Sequence, residues 1–261
     1  MRALNIAATG MLAQQLNVEV ISNNIANLNT TAYKRQRAEF QDLLYENQRR
    51  VGADSSDNGN IIPVGVQVGS GVKAAAVYRI TTQGSLTNTN NSLDLAIQGR
   101  GFFQITMPDG STAYTRAGSF QLSPTGEIVT ADGYVVQPGI TLPNNTTAVT
   151  VNASGQVLAT IAGQTNPQNV GQLQLANFPN EAGLEALGGN YLVETAASGA
   201  ATTGNPGSTA FGQIQQGYLE TSNVDIVSEI TNLITAQRAY EMNSKALQTA
   251  DQMSQTLSQV Q

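Results

Sequence analysis

The sequence predicts an α+β protein in which long N- and C-terminal helices pair into a coiled-coil-like core and flank a central antiparallel all-β domain. Apolar residues recur at intervals of seven near both ends of the chain. Between them the hydrophobic period falls to about two, and turn-forming residues arrive at regular spacing. A period of 3.5 marks a helix with one buried seam, and a period of two marks a strand with one buried face.

The first element runs from Leu4 to Leu28. Leu4, Met11, Val18 and Ile25 lie on one line of sevens, and Ala7, Ile21 and Leu28 lie on its neighbour, interrupted by Gln14. Asn29-Thr30-Thr31 ends the pattern. By propensity this helix is marginal: Asn5, Asn17, Asn23, Asn24, Asn27, Gly10 and a run of β-branched residues all rank below Ala. Such a helix needs partners on more than one side.

Short apolar runs follow at Val72–Ile80, Leu93–Ile97, Phe102–Met107, Ile128–Thr130, Tyr134–Val136, Val149–Val151 and Val157–Ile161. They are separated by Pro108-Asp109-Gly110, Pro124-Thr125-Gly126, Asp132-Gly133, Pro143-Asn144-Asn145, Ser154-Gly155 and Gly188-Gly189-Asn190. This spacing predicts a sandwich or open barrel. Two softer stretches, Gly52–Gly71 and Ala196–Ser208, read as flexible arms.

The last element opens at Ser222-Asn223-Val224-Asp225, which reads as a capping box. Ile226, Leu233, Tyr240 and Leu247 follow at strict sevens, beside Ile230, Ala236, Ala250 and Leu257, with no Gly or Pro from Val224 to Ser258. The resulting division is a helical assembly core at 1–34 and 218–261, connecting arms at 35–71 and 196–217, and an outer β domain at 72–195. Two arrangements satisfy the paired seams: an intramolecular hairpin that only stabilises the β domain, or an interface that joins copies of the chain.

Composition narrows the chemistry. Neither Cys nor His is present, which removes thiolate zinc sites, Cys or His nucleophiles and Ser-His-Asp triads. The net charge of −6 disfavours a nucleic-acid partner. Met1–Val20 does not read as a secretory signal, and no stretch is apolar enough for a membrane helix.

Candidate sites are few. Asp54, Asp57, Asn58 and Asn60 lack the alternate ligands and distant Glu of a calcium loop. Asp94, Asp109, Glu127 and Asp132 form a conceivable glycosidase set, but three of them sit at turn signals where Asp and Gly are expected. Gly99-Arg100-Gly101 matches no phosphate cradle and is expected to permit a bulge or close packing before a buried strand. The basic stretch containing Arg35, Arg37, Arg49 and Arg50 is either a solvated linker or a set of charges that pair with acids on a neighbouring subunit.

Four segments resemble the rod, hook and related axial proteins of the bacterial flagellum. They are Ser22-Asn23-Asn24-Ile25-Ala26-Asn27 leading to Thr31-Ala32-Tyr33-Lys34; Asp94 through Phe103; Tyr114 through Phe120; and Gly217 through Val224, continuing to Gln237-Arg238-Ala239-Tyr240-Glu241. Within that family the stretch Arg35–Tyr45, with an arm through Gly71, resembles the distal rod members. The resemblance implies a non-enzymatic homopolymer without cofactor, forming the hollow, periplasm-spanning rod of the basal body that carries torque from motor to hook. It also implies proximal rod proteins below, hook protein above, ring proteins around the shaft, and export through the flagellar type III apparatus without a cleaved signal peptide or membrane insertion.

The assembly interface is expected on Leu4, Met11, Val18, Ile21, Ile25, Leu28, Ile226, Ile230, Leu233, Tyr240, Leu247 and Leu257, and the family motif on Asn23, Asn24, Ala26, Asn27, Tyr33 and Lys34. One departure is Ala32, where the family motif has Gly; if that position is left-handed, Ala must adopt the conformation at a cost. The competing readings are another axial subunit, of the proximal rod or hook, and a secreted wall-degrading enzyme.

Overall fold

The computed structural model describes residues 2–49, 64–164 and 166–260; the calcium-loop candidates, Arg50 and the side chains of Arg49 and Leu257 lie outside the described residues. The chain has an N-terminal helix, a central region made mostly of strands, and a C-terminal helix. It divides into a helical unit (Met1–Ala26, Gln36–Tyr78 and Asp225–Gln261) and a β unit (Asn27–Arg35 and Arg79–Val224).

In the helical unit, α1 (Arg2–Ala26) and α2 (Ile226–Val260) lie side by side. Apart from Val20 and Ile21 on α1, the buried residues of the two helices are small or polar. Ala7, Ala13, Val20, Ile21 and Asn24 are buried on α1, and Glu229, Ala236 and Ala250 on α2. A Cβ added at Gly10 would meet the Asn243 side chain at 2.9 Å, so glycine here permits the close approach of two helices. Strand Gln36–Asp42 pairs with Val72–Arg79, and Tyr45–Arg49 with Val66–Gly69, forming two-stranded ribbons where flexible arm was expected.

Helix α2 begins later than the sequence suggests. Asp225, not Ser222, caps it: its carboxylate accepts from the Ser228 N–H at 3.3 Å and the Ser228 hydroxyl at 2.5 Å. Ser222 Oγ only accepts from the Val224 N–H at 3.3 Å, and residues 218–224 belong to the β unit. Asp is as good a cap as Ser, and the first two turns of a capping signal three residues apart look alike in sequence.

The β unit is antiparallel throughout its described ladders. Its main sheet runs Glu185–Gly188, Tyr191–Val193, Thr112–Thr115, Phe102–Thr106, Val135–Val136, Ile128–Val129, Gln121–Leu122, with Leu175–Asn177 also on Phe102–Thr106 and Thr202–Gly204 outside it. A three-stranded meander (Thr146–Val151, Gln156–Ile161, Gln168–Gln172) and the pairs Leu95–Gln98 with Gln213–Gln216 and Leu86–Asn88 with Tyr218–Glu220 complete it. The expected turns are present, and Gly110, Gly126, Gly133, Gly155, Gly188 and Gly189 all take positive φ.

The expected arm at 196–217 is instead part of this unit. Ser198 is fully buried and Ile214 is 2% exposed. Its small-residue composition reads as a linker, but the strand at 202–204 ties it to the main sheet and the strand at 213–216 pairs with Leu95–Gln98. The core also departs from the impression left by a chain with 5% aromatics. Its few rings are concentrated there: Phe103 meets Phe120 edge-on at 5.1 Å, and Phe178 meets Tyr114 at 4.8 Å and Phe102 at 5.9 Å between ring centroids. Edge-to-face pairs of this kind add to the area they bury.

Candidate functional site: an exposed helical surface and a buried charged junction

The residues expected to form the assembly interface fall into three groups. Ile21 is buried, while Leu4, Met11, Val18, Ile25, Leu28, Leu233 and Leu247 are half-buried. Ile226, Ile230 and Tyr240 are exposed, at 42%, 44% and 43%. They are joined by Val227 at 70% and Ile234 at 50%, which the seven-residue reading left out. Val227, Ile230 and Ile234 stand at i, i+3 and i+7 and so share one face of α2. The line of buried Glu229, Ala236 and Ala250, with half-buried Asn243, occupies another.

A polar clamp fixes the two helices. Asn24, 1% exposed, donates to Glu229 Oε2 at 3.0 Å and to Gln36 O at 2.8 Å, and its Oδ1 accepts from the Gln36 N–H at 2.9 Å. A buried amide that meets a buried carboxylate across two helices favours one register, because a slip breaks the bond between them.

In the β unit the four family segments converge on Glu220. Its carboxylate accepts from Lys34 Nζ at 2.5 Å, Arg116 Nε at 2.7 Å and the Gly84 N–H at 2.9 Å. Arg116 spends its remaining donors on three carbonyls: Gly101 at 2.9 Å, Ile97 at 3.2 Å and Gly99 at 2.7 Å. This explains Gly99-Arg100-Gly101, where φ of +111° and +134° turns the carbonyls toward the guanidinium. No Cβ is tolerated close by: one at Gly99 would meet Gly212 Cα at 3.0 Å.

Side-chain exposures of 0% for Glu220, 8% for Arg116 and 9% for Lys34 put all three charges out of water. Burial alone would raise the Glu220 carboxyl, but Arg116 and Lys34 together outweigh it and hold it below the ordinary glutamate value. Lys34 is pulled below the ordinary lysine value, chiefly by burial, with Glu220 opposing and Arg116 adding to the shift. Two cations sharing one anion give this asymmetry: the anion gains twice, and each cation keeps a like-charged neighbour.

Lys34 is thus an internal structural cation of the β unit. The sequence carries one signal of the junction: Arg116 is the only Lys or Arg between Arg100 and Arg238. Among the expected inter-subunit charges, Arg37 pairs with its own chain's Glu39 at 2.9 Å and lies 5.5 Å from the Tyr78 ring centre. Arg35 gives its backbone N–H to Asn223 Oδ1 at 2.7 Å. Ala32 does take the left-handed conformation, at φ +57°, and its N–H donates to Glu220 O at 2.8 Å.

The carboxylates of the glycosidase reading are used locally. Asp94 accepts from Thr89 and Asn91, Asp109 from Ser111, Glu127 from Thr125, and Asp132 from the Tyr191 hydroxyl at 2.6 Å. An open cleft lined by Met107, Pro108, Tyr134, Gln137 and Pro138, among others, holds no carboxylate. Among the described residues no helix is long and apolar enough to cross a membrane, and no group of three or more acidic side chains is placed to hold a metal.

Residues 4–34 match the family model described as flagella basal body rod protein, residues 96–159 that of the flagellar hook protein FlgE/F/G D1 domain, and residues 215–260 that of the flagellar basal body rod FlgEFG protein C-terminal region. The chain is 64% identical over 260 residues to the flagellar basal-body rod protein FlgG of Caulobacter vibrioides, covering 100% of this chain and 99% of that one. It is 54% identical to the same-named protein of Agrobacterium fabrum, covering 99% and 98%, and 36% identical to that of Bacillus subtilis, covering 98% of each.

The chain therefore belongs to the flagellar hook and basal-body rod family, which is structural and not enzymatic. Within that family it is a structural subunit of the distal rod of the flagellar basal body.

Proposed function

We propose that copies of this chain join through the exposed apolar face of α2, together with the outward side chains of α1, to build a hollow shaft that carries torque from motor to hook. The observation that carries this reading is the continuous stripe of Val227, Ile230 and Ile234, 70%, 44% and 50% exposed on a helix whose opposite side is already occupied. Each large aliphatic side chain taken out of water contributes about 1.5–3 kcal/mol when fully buried, and a helical polymer buries the same stripe in every subunit. Ile226, Ile230, Tyr240 and the half-buried Leu4, Met11, Val18, Ile25, Leu28, Leu233 and Leu247 fit the rim of such an interface, and a coiled-coil-like seam between terminal helices is part of it. Arg35, Arg37, Arg49 and Arg50 offer charges to acids on neighbouring subunits, Arg37 by exchanging its own chain's Glu39; a surface ion pair is worth about 0–1 kcal/mol and is effective only in number.

In this reading α1 and α2 form the core of the tube, residues 36–78 join it to an outer β unit, and the subunit reaches its place through the flagellar type III apparatus. Proximal rod proteins lie below it, hook protein above, and ring proteins around it. The test is to place Asp at Val227, Ile230 and Ile234 together. The stripe is exposed in the monomer, so helicity and melting of the dilute protein stay near those of the parent while sedimentation shows no polymer. Polymers of normal length from this triple variant remove the proposal.

A further inference from the structure

Segment Asn27–Arg35 is tied to the β unit mainly by residues from near the other end of the chain. The Ala32 N–H donates to Glu220 O at 2.8 Å, Lys34 Nζ to Glu220 Oε1 at 2.5 Å, and the Arg35 N–H to Asn223 Oδ1 at 2.7 Å. The Asn223 N–H returns a bond to Tyr33 O at 3.4 Å. Asn223 Nδ2 reaches a third stretch of chain, donating to Ile80 O at 2.9 Å and Thr82 O at 3.0 Å, while the Ile80 N–H donates to Arg35 O at 2.8 Å. Residues outside 218–223 also hold the segment: besides the Ile80 N–H, Lys34 Nζ donates to Thr82 O at 2.9 Å and Asn190 Nδ2 to Thr31 O at 3.1 Å.

Electrostatics makes this dependence directional. Arg116 and Glu220 form a neutral pair without Lys34. With residues 218–220 undocked, the place offered to Lys34 lies near Arg116 and lacks the carboxylate, and burying a cation beside a cation is opposed. We infer that Glu220 and Asn223 are positioning residues that make docking of Asn27–Arg35 conditional on the C-terminal strand. The chain leaving α1 and the chain entering α2 are then captured together, and a subunit missing one anchor does not hold the other.

Hydrogen exchange on the full-length monomer tests this without needing a polymer, so its outcome is independent of the assembly reading. In Glu220→Gln and in Asn223→Ala, the amides of Ala32, Arg35 and Ile80 should exchange about tenfold or more faster than in the parent, as expected when buried hydrogen bonds lose a partner. In Asn223→Ala the amides of Phe103 and Ile105, in the core of the sheet, should stay within about twofold, whereas Glu220→Gln, which weakens the whole β unit, accelerates them as well. Adding Lys34→Met to Glu220→Gln removes the opposed cation and should restore protection at Ala32. Unchanged exchange at the three junction amides, an equal acceleration at Phe103 and Ile105 in Asn223→Ala, or no restoration at Ala32 in the double variant overturns the inference.

Discussion

Replacing Glu220 by Gln leaves two buried cations facing an amide. Gln keeps the shape of Glu, but only its carbonyl oxygen accepts; its NH2 group must point at either Lys34 Nζ or Arg116 Nε, a donor against a donor. Removing one partner of a buried ion pair costs about 3–5 kcal/mol, because the charge left behind stays uncompensated. Glu220 is 1% exposed, so little water can reach the site. At about 2–4 °C per kcal/mol for a unit of this size, the loss lowers the melting temperature of the β unit by roughly 6–20 °C. The assay is thermal melting of the full chain followed by the strand signal in circular dichroism.

The acid limb of the same measurement gives an independent check. The folded protein holds the Glu220 carboxyl below its ordinary value of 4.5, so its contribution is complete above that pH and is lost as pH falls further. Glu220→Gln should lack this part of the acid dependence. A triple variant, Lys34→Met with Arg116→Met and Glu220→Leu, should melt closer to the parent than the single one does, since replacing a whole buried network by apolar groups is often neutral. A Glu220→Gln melting point within about 2 °C of the parent refutes the argument that burial makes this network matter.

At Ala32, left-handed backbone costs a residue with a Cβ roughly 1–2 kcal/mol, while glycine loses that strain together with a buried methyl. Ala32→Gly should therefore change urea stability by less than about 1 kcal/mol, and Ala32→Val should lower it by about 2 kcal/mol or more, since a branched side chain fits neither the backbone nor the space. Tyr191 is raised to about 12 by burial and by its bond to Asp132, so in an absorbance titration Tyr191→Phe should remove one tyrosine's worth of signal from the most alkaline part of the curve.

Much of the β unit was legible because its signals are local. A glycine that must take positive φ announces a turn wherever it occurs, and alternating residues announce a half-buried strand. The junction was illegible because no window contains it: Lys34, Arg116 and Glu220 are contributed by segments separated by much of the chain. Lys34 looked like one of several surface bases, and only the lack of any other base near Arg116 in sequence hinted that this arginine had an internal partner. Residues 196–217 misled for a different reason. Small residues that pack tightly and small residues that form linkers have the same composition.

The sevenfold repeat of α2 mixes two surfaces that a heptad count cannot separate. Glu229, Ala236, Asn243 and Ala250 form one line of sevens, and Ile226, Leu233, Tyr240 and Leu247 another. The first faces α1, where Gly10 and Ala13 permit only small partners. The second grades from half-buried Leu233 and Leu247 to exposed Ile226 and Tyr240, and leads around to Val227 and Ile234. A helix serving only a hairpin would place its largest apolar side chains against its partner and polar ones outside. Here the assignment is inverted: alanine and amide inside, isoleucine and valine outside. That inversion is costly for a lone monomer, which gains little from the inner face and exposes the outer one. It becomes favourable once a neighbouring copy covers the outer stripe, which ties the marginal helix propensity of the chain ends to assembly through one arrangement of side chains.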